Sequence, residues 1–370
     1  MKLKNSYNKL TIFSWSLYDF ANQPFTTLVV TFIYSAYFAN AIVLDNDPEN
    51  IYGTALWSRA ISVTALFVAL LSPFMGSVAD RGGYRKIFFI FWTWLCVISS
   101  ILLFFAEPGD VAMALFWFII ANVAFEMGGV FCNSYLIDIA PRHKIGRISG
   151  YGWSFGYVGG LLALILSLIL FVNPEVPAFG FTRFNGENYR AVTILCGVWL
   201  AIFSLPTFLF VKDGPVRNRL DMYMIKDSYN ELILTFTEIK KYKQIVRFLL
   251  ARLFYNDGLI TIFAFGGIYA VSEFGFTLED VLLFGIVLNI FAGLGSFLMG
   301  FLDDYLGGKN TIQISNLGLI LAAIIAVLTP NQDIVISLPL LLEINIPGVA
   351  LFWFSGILMT IISSSLWLTK

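Results

Sequence analysis

The sequence is 370 residues long, and 58% of its residues are hydrophobic while only 13% are charged. Because soluble domains carry about 25% charged residues, this composition excludes an ordinary water-soluble fold and predicts lipid as the surrounding solvent. The net charge of −1 argues against nucleic acid as a partner, since nucleic-acid binding requires a basic surface.

Ten apolar segments are long enough to cross a bilayer as helices, since about 20 residues at a rise of about 1.5 Å each span the hydrocarbon core. In chain order they cover 11–43, 54–79, 87–106, 111–139, 148–172, 190–211, 247–271, 280–302, 311–329 and 345–368. They predict an all-α membrane protein with about ten transmembrane helices in a lipid bilayer.

The distribution of basic residues predicts how these helices are oriented. With the N terminus inside, most of the 23 Lys and Arg residues fall in cytoplasmic segments, and the outer loops are mainly acidic. Because Lys and Arg in short loops favour the cytoplasmic side, both termini are predicted to be cytoplasmic. The membrane is then the cytoplasmic membrane of a bacterium, or an endomembrane or the vacuolar membrane of a eukaryote.

One connection, 212–246, is charged and much longer than most of the others. It predicts an N-terminal six-helix bundle (1–211), a cytoplasmic linker (212–246) and a C-terminal part of four helices (247–370). Apolar residues recur in the linker at near-helical spacing, which predicts an amphipathic helix at the inner interface. A solvated linker is the alternative.

A short pattern occurs twice, once in each half of the chain. After the second span the chain has Gly76, Asp80, Gly83 and the basic pair Arg85 and Lys86. After the eighth span the corresponding residues are Gly300, Asp304, Gly307 and Lys309. The same loop position in two halves predicts an internal repeat, which is common in transporters.

The Gly76–Lys86 segment resembles the cytoplasmic loop signature of the major facilitator superfamily. Ser14–Asn22 in span one and Pro141–Trp153 before span five resemble the autophagy-related vacuolar effluxer family and its bacterial relatives. The resemblance implies a major-facilitator-like two-bundle fold and transport of a solute by alternating access. Eukaryotic members of that family are associated with amino-acid export from the vacuole.

The superfamily resemblance also implies twelve helices, whereas this sequence contains ten predicted spans. It therefore predicts six helices plus an incomplete C-terminal bundle of four. In that fold the Asp80 position meets the cytoplasmic start of span eleven, where a carboxylate suits a helix N terminus. A truncated protein without transport activity, or a gene fragment, is the alternative to a transporter.

Polar and ionisable residues inside membrane spans are costly and are therefore candidates for binding a solute or a proton. The candidates are Asp19 and Asn22 in span one, Asn122, Glu126 and Asn133 in span four, and Arg252, Asn256 and Asp257 in span seven. The alternatives are polar patches or ion pairs that only join helices. Arg59 is a partner for Glu126, unless it extends to the outer headgroups.

The repeated loop predicts a gate at the inner ends of the helices. The gating candidates are Gly76, Asp80, Arg81, Gly83, Arg85 and Lys86, joined by Asp138 and Arg142 where span four ends, and the second-half loop Gly300, Asp304, Gly307 and Lys309. The alternative is that the basic residues only set the orientation. Span five contains Gly150, Gly152, Gly156, Gly159 and Gly160, which predict close helix packing.

The sequence contains none of the short motifs that are typical of common enzymes and metal sites. The 3 cysteines have no CxxC spacing, His143 is the single histidine, and no GxSxG or HExxH motif occurs. No metal, cofactor or enzymatic activity is therefore predicted. The leading hypothesis is a secondary active transporter of a small polar solute, with amino acids as candidates and protons as the coupling ion. No oligomeric state is predicted.

Overall fold

The computed structural model describes residues 8–44, 51–213, 227, 229–230, 233–234, 237–238, 241–332, 334–338 and 342–368. Within these ranges the side chains at 80, 81, 263–265, 267–268, 278–279, 282, 334–338, 342–346 and 367–368 are not described. The predicted gating side chains Asp80 and Arg81, and most of the predicted linker helix, therefore lie outside the described residues.

Ten long helices make up most of the described residues. They are α1 (Lys9–Pro24, prolonged by helical turns to Ile42), α2 (Ile51–Gly82), α3 (Arg85–Leu102), α4 (Val111–Ser134), α5 (Ile145–Ser167), α6 (Glu187–Phe210), α7 (Lys243–Phe274), α8 (Leu278–Leu306), α9 (Gly308–Leu328) and α10 (Gly348–Leu368). Each coincides with one predicted span. The prediction of an all-α membrane fold is confirmed.

Nine of these helices, all except α7, are long and apolar enough within the described residues to cross a membrane. Helix α7 is 32 residues long and contains the predicted span 247–271. Several of its side chains lie outside the described part of the chain. Length and hydropathy therefore agree with the sequence analysis for every span whose side chains are described in full.

Three segments within the helices of the first half of the chain have π-helical hydrogen bonding. In α1 the π-helical segments are Phe25–Phe32 and Phe38–Ile42, and α5 ends in another at Leu168–Val172. Their backbone N–H groups donate five residues back, as from Ile33 to Leu28 at 3.1 Å. The first segment begins directly after Pro24, which has no N–H to donate to the α-helical ladder. The sequence analysis did not predict these wider turns.

Contacts divide the chain into two compact units. The first contains Met1–Pro141 and Phe155–Phe236, and the second contains Arg142–Ser154 and Thr237–Lys370. Helix α5 is therefore shared, with its first turns in the second unit and the remainder in the first. The predicted boundaries 1–211, 212–246 and 247–370 stay a prediction.

The first unit is built around buried aromatic side chains. Helix α1 packs against α6, and α3 packs against α4 and α6. Trp57 of α2 stacks on Phe118 of α4 with ring centroids 3.8 Å apart. A Cβ at Gly159 of α5 would overlap the backbone of Phe20 in α1. The predicted close packing of the span-five glycines is therefore confirmed at this position.

The second unit has its own core, in which α10 packs against α8 and α9. Phe276, Phe284 and Phe352 are buried there, and Phe284 stacks on Phe352 with centroids 5.4 Å apart.

Helix α8 is preceded by Thr277, whose hydroxyl accepts from Asp280 N at 3.2 Å. The Thr277 hydroxyl and backbone N–H donate to the Asp280 carboxylate and lower its pKa below the usual range.

A β-hairpin lies between α9 and α10, where the sequence analysis predicted only a loop. Strand β1 (Ile334–Leu338) pairs antiparallel with β2 (Leu342–Ile346), from Ile334 opposite Ile346 to Leu338 opposite Leu342. Both segments are rich in Ile, Val and Leu, and β-branched side chains favour strands. The last predicted span, 345–368, therefore begins as a helix only at Gly348.

Candidate functional site

Three contacts place α1 and α4 side by side and antiparallel in the first unit. Trp15 Nε1 donates to the carbonyl oxygen of Cys132 at 2.8 Å. One turn later, a Cβ at Gly128 would lie only 2.5 Å from the hydroxyl oxygen of Tyr18. Phe25 stacks on Phe125 with ring centroids 5.2 Å apart. The segment of α1 between Tyr18 and Phe25 therefore lies level with the middle of α4.

Asn22 of α1 lies within this segment, and Asn122 of α4 lies one turn from Phe125. Asn22 is 7% exposed and Asn122 is 6% exposed. Among the described residues, neither amide side chain makes a hydrogen bond. Neither amide is among the fully buried side-chain atoms without a hydrogen-bond partner in the described residues, so each largely buried asparagine keeps part of its amide accessible. The two helices thus present amide groups that are not hydrogen-bonded within the described part of the protein.

Each of these amides lies one turn from a carboxylate on its own helix. Asp19 is half-buried and lies beside α5, where a Cβ at Gly156 would be 3.5 Å from Asp19 Cβ. Glu126 is exposed, on the same face of α4 as Phe116 and Val130. A carboxylate within a span is costly, so Glu126 remains a candidate for binding a solute or a proton.

The other predicted span residues are more scattered. Asn133 is half-buried, seven residues beyond Glu126 in α4. Arg252 and Asn256 are half-buried in α7, and Asp257 is exposed there. Arg59 is exposed near the start of α2, and the described residues include no ion pair between Arg59 and Glu126. The α1 and α4 candidates thus belong to the first unit, and the α7 candidates belong to the second unit.

Three charged side chains form an ion-pair cluster where α3 begins and α4 ends. Arg85 contacts the carboxylate of Asp138 at 2.7 Å and that of Asp213 at 3.3 Å. Its guanidinium carbon also lies 4.9 Å from the ring centroid of Tyr135. The structure therefore joins two of the predicted gating residues, Arg85 and Asp138, and adds Asp213, which follows α6.

Asp213 was missed by the sequence analysis, although it makes more contacts in this cluster than Asp138. Its carboxylate accepts from the Lys86 backbone N–H at 3.0 Å and from the Tyr135 hydroxyl at 3.2 Å. Lys86 Nζ in turn donates to the Val211 carbonyl oxygen at 3.1 Å. The available signal was weak, because Asp213 is the first carboxylate after span six and its partners are distant in sequence.

The glycines of the first loop have different local roles. Gly83 ends α2 with φ +74°, a left-handed conformation that favours glycine, and its N–H donates to the Ala79 carbonyl at 2.9 Å. A Cβ added at Gly76 would meet no atom within 4 Å. Gly83 is therefore required by the turn into α3, and no contact among the described residues explains glycine at 76.

The second-half loop binds the start of α5 within the second unit. The Asp304 carboxylate accepts from the backbone N–H groups of Gly146 at 2.9 Å and Arg147 at 3.4 Å, and it also pairs with Arg147 Nε. A carboxylate is favourable there because a helix N terminus carries a partial positive charge and unpaired N–H groups. The resemblance to the major facilitator superfamily predicts that Asp80 contacts the start of span eleven. Its counterpart in the repeat, Asp304, contacts the start of span five.

Glycines allow α8 and the first turns of α5 to approach closely. A Cβ at Gly150 would lie 2.5 Å from the Ser296 carbonyl oxygen, and one at Gly300 would lie 2.9 Å from Arg147 Cα. Gly300 is therefore a packing position. Of the remaining gating candidates, Gly307 turns the chain with φ +79°, and Arg142 and Lys309 are exposed.

No group of three or more His, Cys, Asp and Glu residues in the described part of the chain could hold a metal ion. Cys96, Cys132 and Cys196 are buried in separate helices. The polar groups described above are amides, carboxylates, guanidinium and ammonium groups. Such groups can bind a solute, exchange protons or pair with one another.

Sequence comparison identifies relatives over most of the chain. The model of the family described as "Vacuole effluxer Atg22 like" matches residues 49–334. The uncharacterized MFS-type transporter YxiO of Bacillus subtilis is 25% identical over 316 residues, covering 85% of this chain and 72% of YxiO. Autophagy-related protein 22-1 of Penicillium rubens is 22% identical, and the match covers 68% of this chain and 53% of the fungal protein. The chain thus spans about half the length of that fungal relative.

Solved structures of low sequence identity share the fold. The proton:xylose symporter XylE, bound to 6-bromo-6-deoxy-D-glucose, aligns with a TM-score of 0.65 and 13% identity over 99% of this chain and 82% of XylE. The human organic anion transporter MFSD10 aligns with a TM-score of 0.67 and 14% identity over 96% and 85% of the two chains. YxiO, XylE and MFSD10 are each described as a transporter or symporter.

The apolar helices and these similarities lead to one assignment. The protein is a multi-pass membrane protein and a transporter of the major facilitator superfamily. As a transporter it acts on a small-molecule solute. Since the family model matches residues 49–334, the chain belongs to the Vacuole effluxer Atg22 like family.

Proposed function

We propose that the protein is a secondary active transporter that moves a small polar solute, with amino acids as the first candidates, by alternating access coupled to protons. The observation that carries this proposal is that α1 and α4, which contact each other, each contain a largely buried asparagine, Asn22 and Asn122. Amides offer both donors and acceptors, which an amino acid with its ammonium and carboxylate groups would satisfy. The family description, "Vacuole effluxer Atg22 like", supports movement of a solute across a membrane.

Proton coupling is assigned to Asp19 and Glu126. Each lies one turn from a solute-binding amide, and a carboxylate at membrane depth is a default candidate for proton exchange. A proton that neutralises a carboxylate beside the solute changes the free energy of solute binding, and the reverse also holds. The α7 residues Arg252, Asn256 and Asp257 are the candidates of the second unit for the same solute.

Gating is assigned to the two loop clusters. Arg85 and Lys86 bind the ends of α4 and α6 through Asp138 and Asp213. Asp304 binds the start of α5 through Arg147. Ion pairs of this kind stabilise one arrangement of helix ends and must be broken to reach another. Both termini are proposed to be cytoplasmic, which places these clusters at the inner membrane surface.

Transport into proteoliposomes tests the solute assignment. The purified full chain is reconstituted with labelled amino acids, with and without a pH gradient, and uptake is expected to depend on the gradient. In Asn22→Ala and Asn122→Ala, loss of one hydrogen bond of about 1 kcal/mol or more should lower kcat/KM about fivefold or more. Asn40→Ala is the matched control, because the exposed Asn40 amide of α1 already donates to the Ala36 carbonyl at 2.7 Å.

Two results would contradict the proposal. Unchanged kinetics in both asparagine variants would remove Asn22 and Asn122 from solute binding. Absence of amino-acid uptake by correctly folded protein under every gradient would remove the solute class.

A further inference from the structure

The connection between α5 and α6 has an unusually apolar outer surface. This 173–186 loop begins directly after the π-helical end of α5 (Leu168–Val172) and ends at Glu187, where α6 begins. Val176 and Phe179 are each 82% exposed, and Phe184 is 76% exposed. Loops that project into water are normally polar, so this loop differs from a solvated connection.

Hydrogen bonds hold the 173–186 loop in one shape. Arg183 Nη2 donates to the carbonyl oxygens of Asn173 at 2.9 Å and Pro174 at 2.8 Å, which ties the second half of the loop to the first. The Glu187 carboxylate accepts from the Thr182 N–H at 2.8 Å and from its hydroxyl. The exposed apolar side chains are therefore displayed by an ordered backbone.

One aromatic residue of the loop points inward while its neighbours stay outside. The Phe181 ring lies 5.7 Å from Phe104 and 5.8 Å from Phe171, between the centroids, and is half-buried. Phe179, two residues earlier, has φ +60° and ψ +21°. That left-handed conformation is unfavourable for a bulky residue and persists only where the surroundings enforce it. The exposed apolar tip of the loop therefore includes a residue, Phe179, whose backbone conformation is strained.

The position of the loop indicates what covers this tip. Both ends of the loop are ends of membrane-spanning helices, so the tip lies close to the membrane surface. Along α5, the exposed residues Leu162, Ile165, Leu166 and Ile169 follow helical spacing on one face, and this apolar face ends at the loop. Aromatic and apolar side chains at that depth favour the boundary between headgroups and acyl chains.

We propose that the 173–186 loop inserts Val176, Phe179 and Phe184 into the interfacial zone of the bilayer and anchors the adjoining ends of α5 and α6 at a defined depth. The partner is the lipid surface itself. This anchoring is independent of the solute and of the proton coupling proposed above.

Site-directed spin labelling of the full chain in liposomes tests the insertion. Val176→Cys and Phe184→Cys are labelled with a nitroxide, and Glu175→Cys, exposed on the same loop, is the matched control. The native cysteines are buried, so protein without an added cysteine should take up little label. We expect positive depth parameters at 176 and 184, because oxygen concentrates in lipid and a nickel chelate stays in water, and a lower value at 175.

A second pair of variants tests the role of Phe179. Phe179→Asn removes the ring but keeps a residue that tolerates positive φ, and the depth parameter of a label at 176 should fall. Asn185→Gly changes the other non-glycine residue that has a positive φ (+50°) among the described residues, and it should leave that depth unchanged. Aqueous depth parameters at both 176 and 184 in the otherwise native chain would overturn the proposal. Short label-to-label distances between copies would also overturn it, since a second copy would then cover the tip.

Discussion

At the scale of single residues, two buried carboxylates hold the starts of two helices. Asp213 accepts from the Lys86 N–H at the start of α3, and Asp304 accepts from the Gly146 N–H at the start of α5. Each also pairs with an arginine at that helix start, Arg85 or Arg147. The repeat analysis identified Asp304 and Arg85 by position, but Asp213 lies outside the repeated pattern.

Of the two ion pairs of Arg85, the more buried pair should contribute more to the free energy of unfolding, although its atoms are farther apart. Arg85 is 2.7 Å from Asp138, whose side chain is 54% exposed, and 3.3 Å from Asp213, whose side chain is 8% exposed. An exposed ion pair contributes about 0–1 kcal/mol, whereas removal of one partner of a buried pair costs several times more. Double-mutant cycles on thermal unfolding, with Arg85→Ala combined with Asp138→Ala or Asp213→Ala, should give the larger coupling for Asp213.

One result of these double-mutant cycles would contradict the prediction, and one further pair of variants serves as a control. A coupling of Arg85 with Asp138 that equals or exceeds the coupling with Asp213 would contradict the ranking by burial. Arg85→Ala combined with Glu175→Ala should give no coupling, because the exposed Glu175 precedes α6 whereas Asp213, the partner of Arg85, follows the far end of that helix.

At the scale of helices, two adjacent glycines of α4 have opposite surroundings. A Cβ at Gly128 would lie 2.5 Å from the Tyr18 hydroxyl oxygen, and a Cβ at Gly129 would meet nothing within 4 Å. Tyr18 is fully buried and its hydroxyl is 3.0 Å from the Thr93 hydroxyl. Gly128 therefore permits α1 to approach α4 beside Asn22, whereas Gly129 has no packing role among the described residues.

Alanine at these positions should separate packing from helix propensity. Gly128→Ala should destabilise the protein by about 1–3 kcal/mol through overpacking against Tyr18. Gly129→Ala should be neutral or stabilising by up to about 1 kcal/mol, because alanine is the better helix former. Thermal unfolding of both variants in the same detergent measures the difference. Equal effects at both positions would show that α1 does not pack on α4 as described.

At the scale of the whole molecule, the predicted orientation is directly testable. Because basic loops favour the cytoplasm, Lys309 should lie inside and Glu175 outside. Both residues are exposed, and the native cysteines are buried. In intact cells, a membrane-impermeant thiol reagent should therefore label Glu175→Cys and spare Lys309→Cys until the membrane is opened. Labelling in the reverse order would invert the orientation.

Sequence reasoning was most successful for the spans and least successful for contacts. The Ser14–Asn22 segment was recognised, but the positions of Trp15 against Cys132 and Tyr18 against Thr93 depend on helices that are distant in sequence. Asn22 and Asn122 were identified as polar residues in apolar segments. Their burial emerged only from the packing of the helices in the first unit. The hairpin at 334–346 was missed because short apolar runs do not distinguish strand from loop.

The sequence by itself determined the solvent, the number and order of the helices, and the family. Hydropathy is a sum over neighbouring residues, so a run of about 20 apolar residues is sufficient to predict a span. Only the tertiary structure decided which polar groups meet. Arg85 and Asp213 are 128 residues apart in the chain, and Arg147 and Asp304 are 157 apart. The tertiary structure also decided the π-helical turns of α1, because hydrogen bonding and packing choose between α and π geometry in a segment that is apolar in either case.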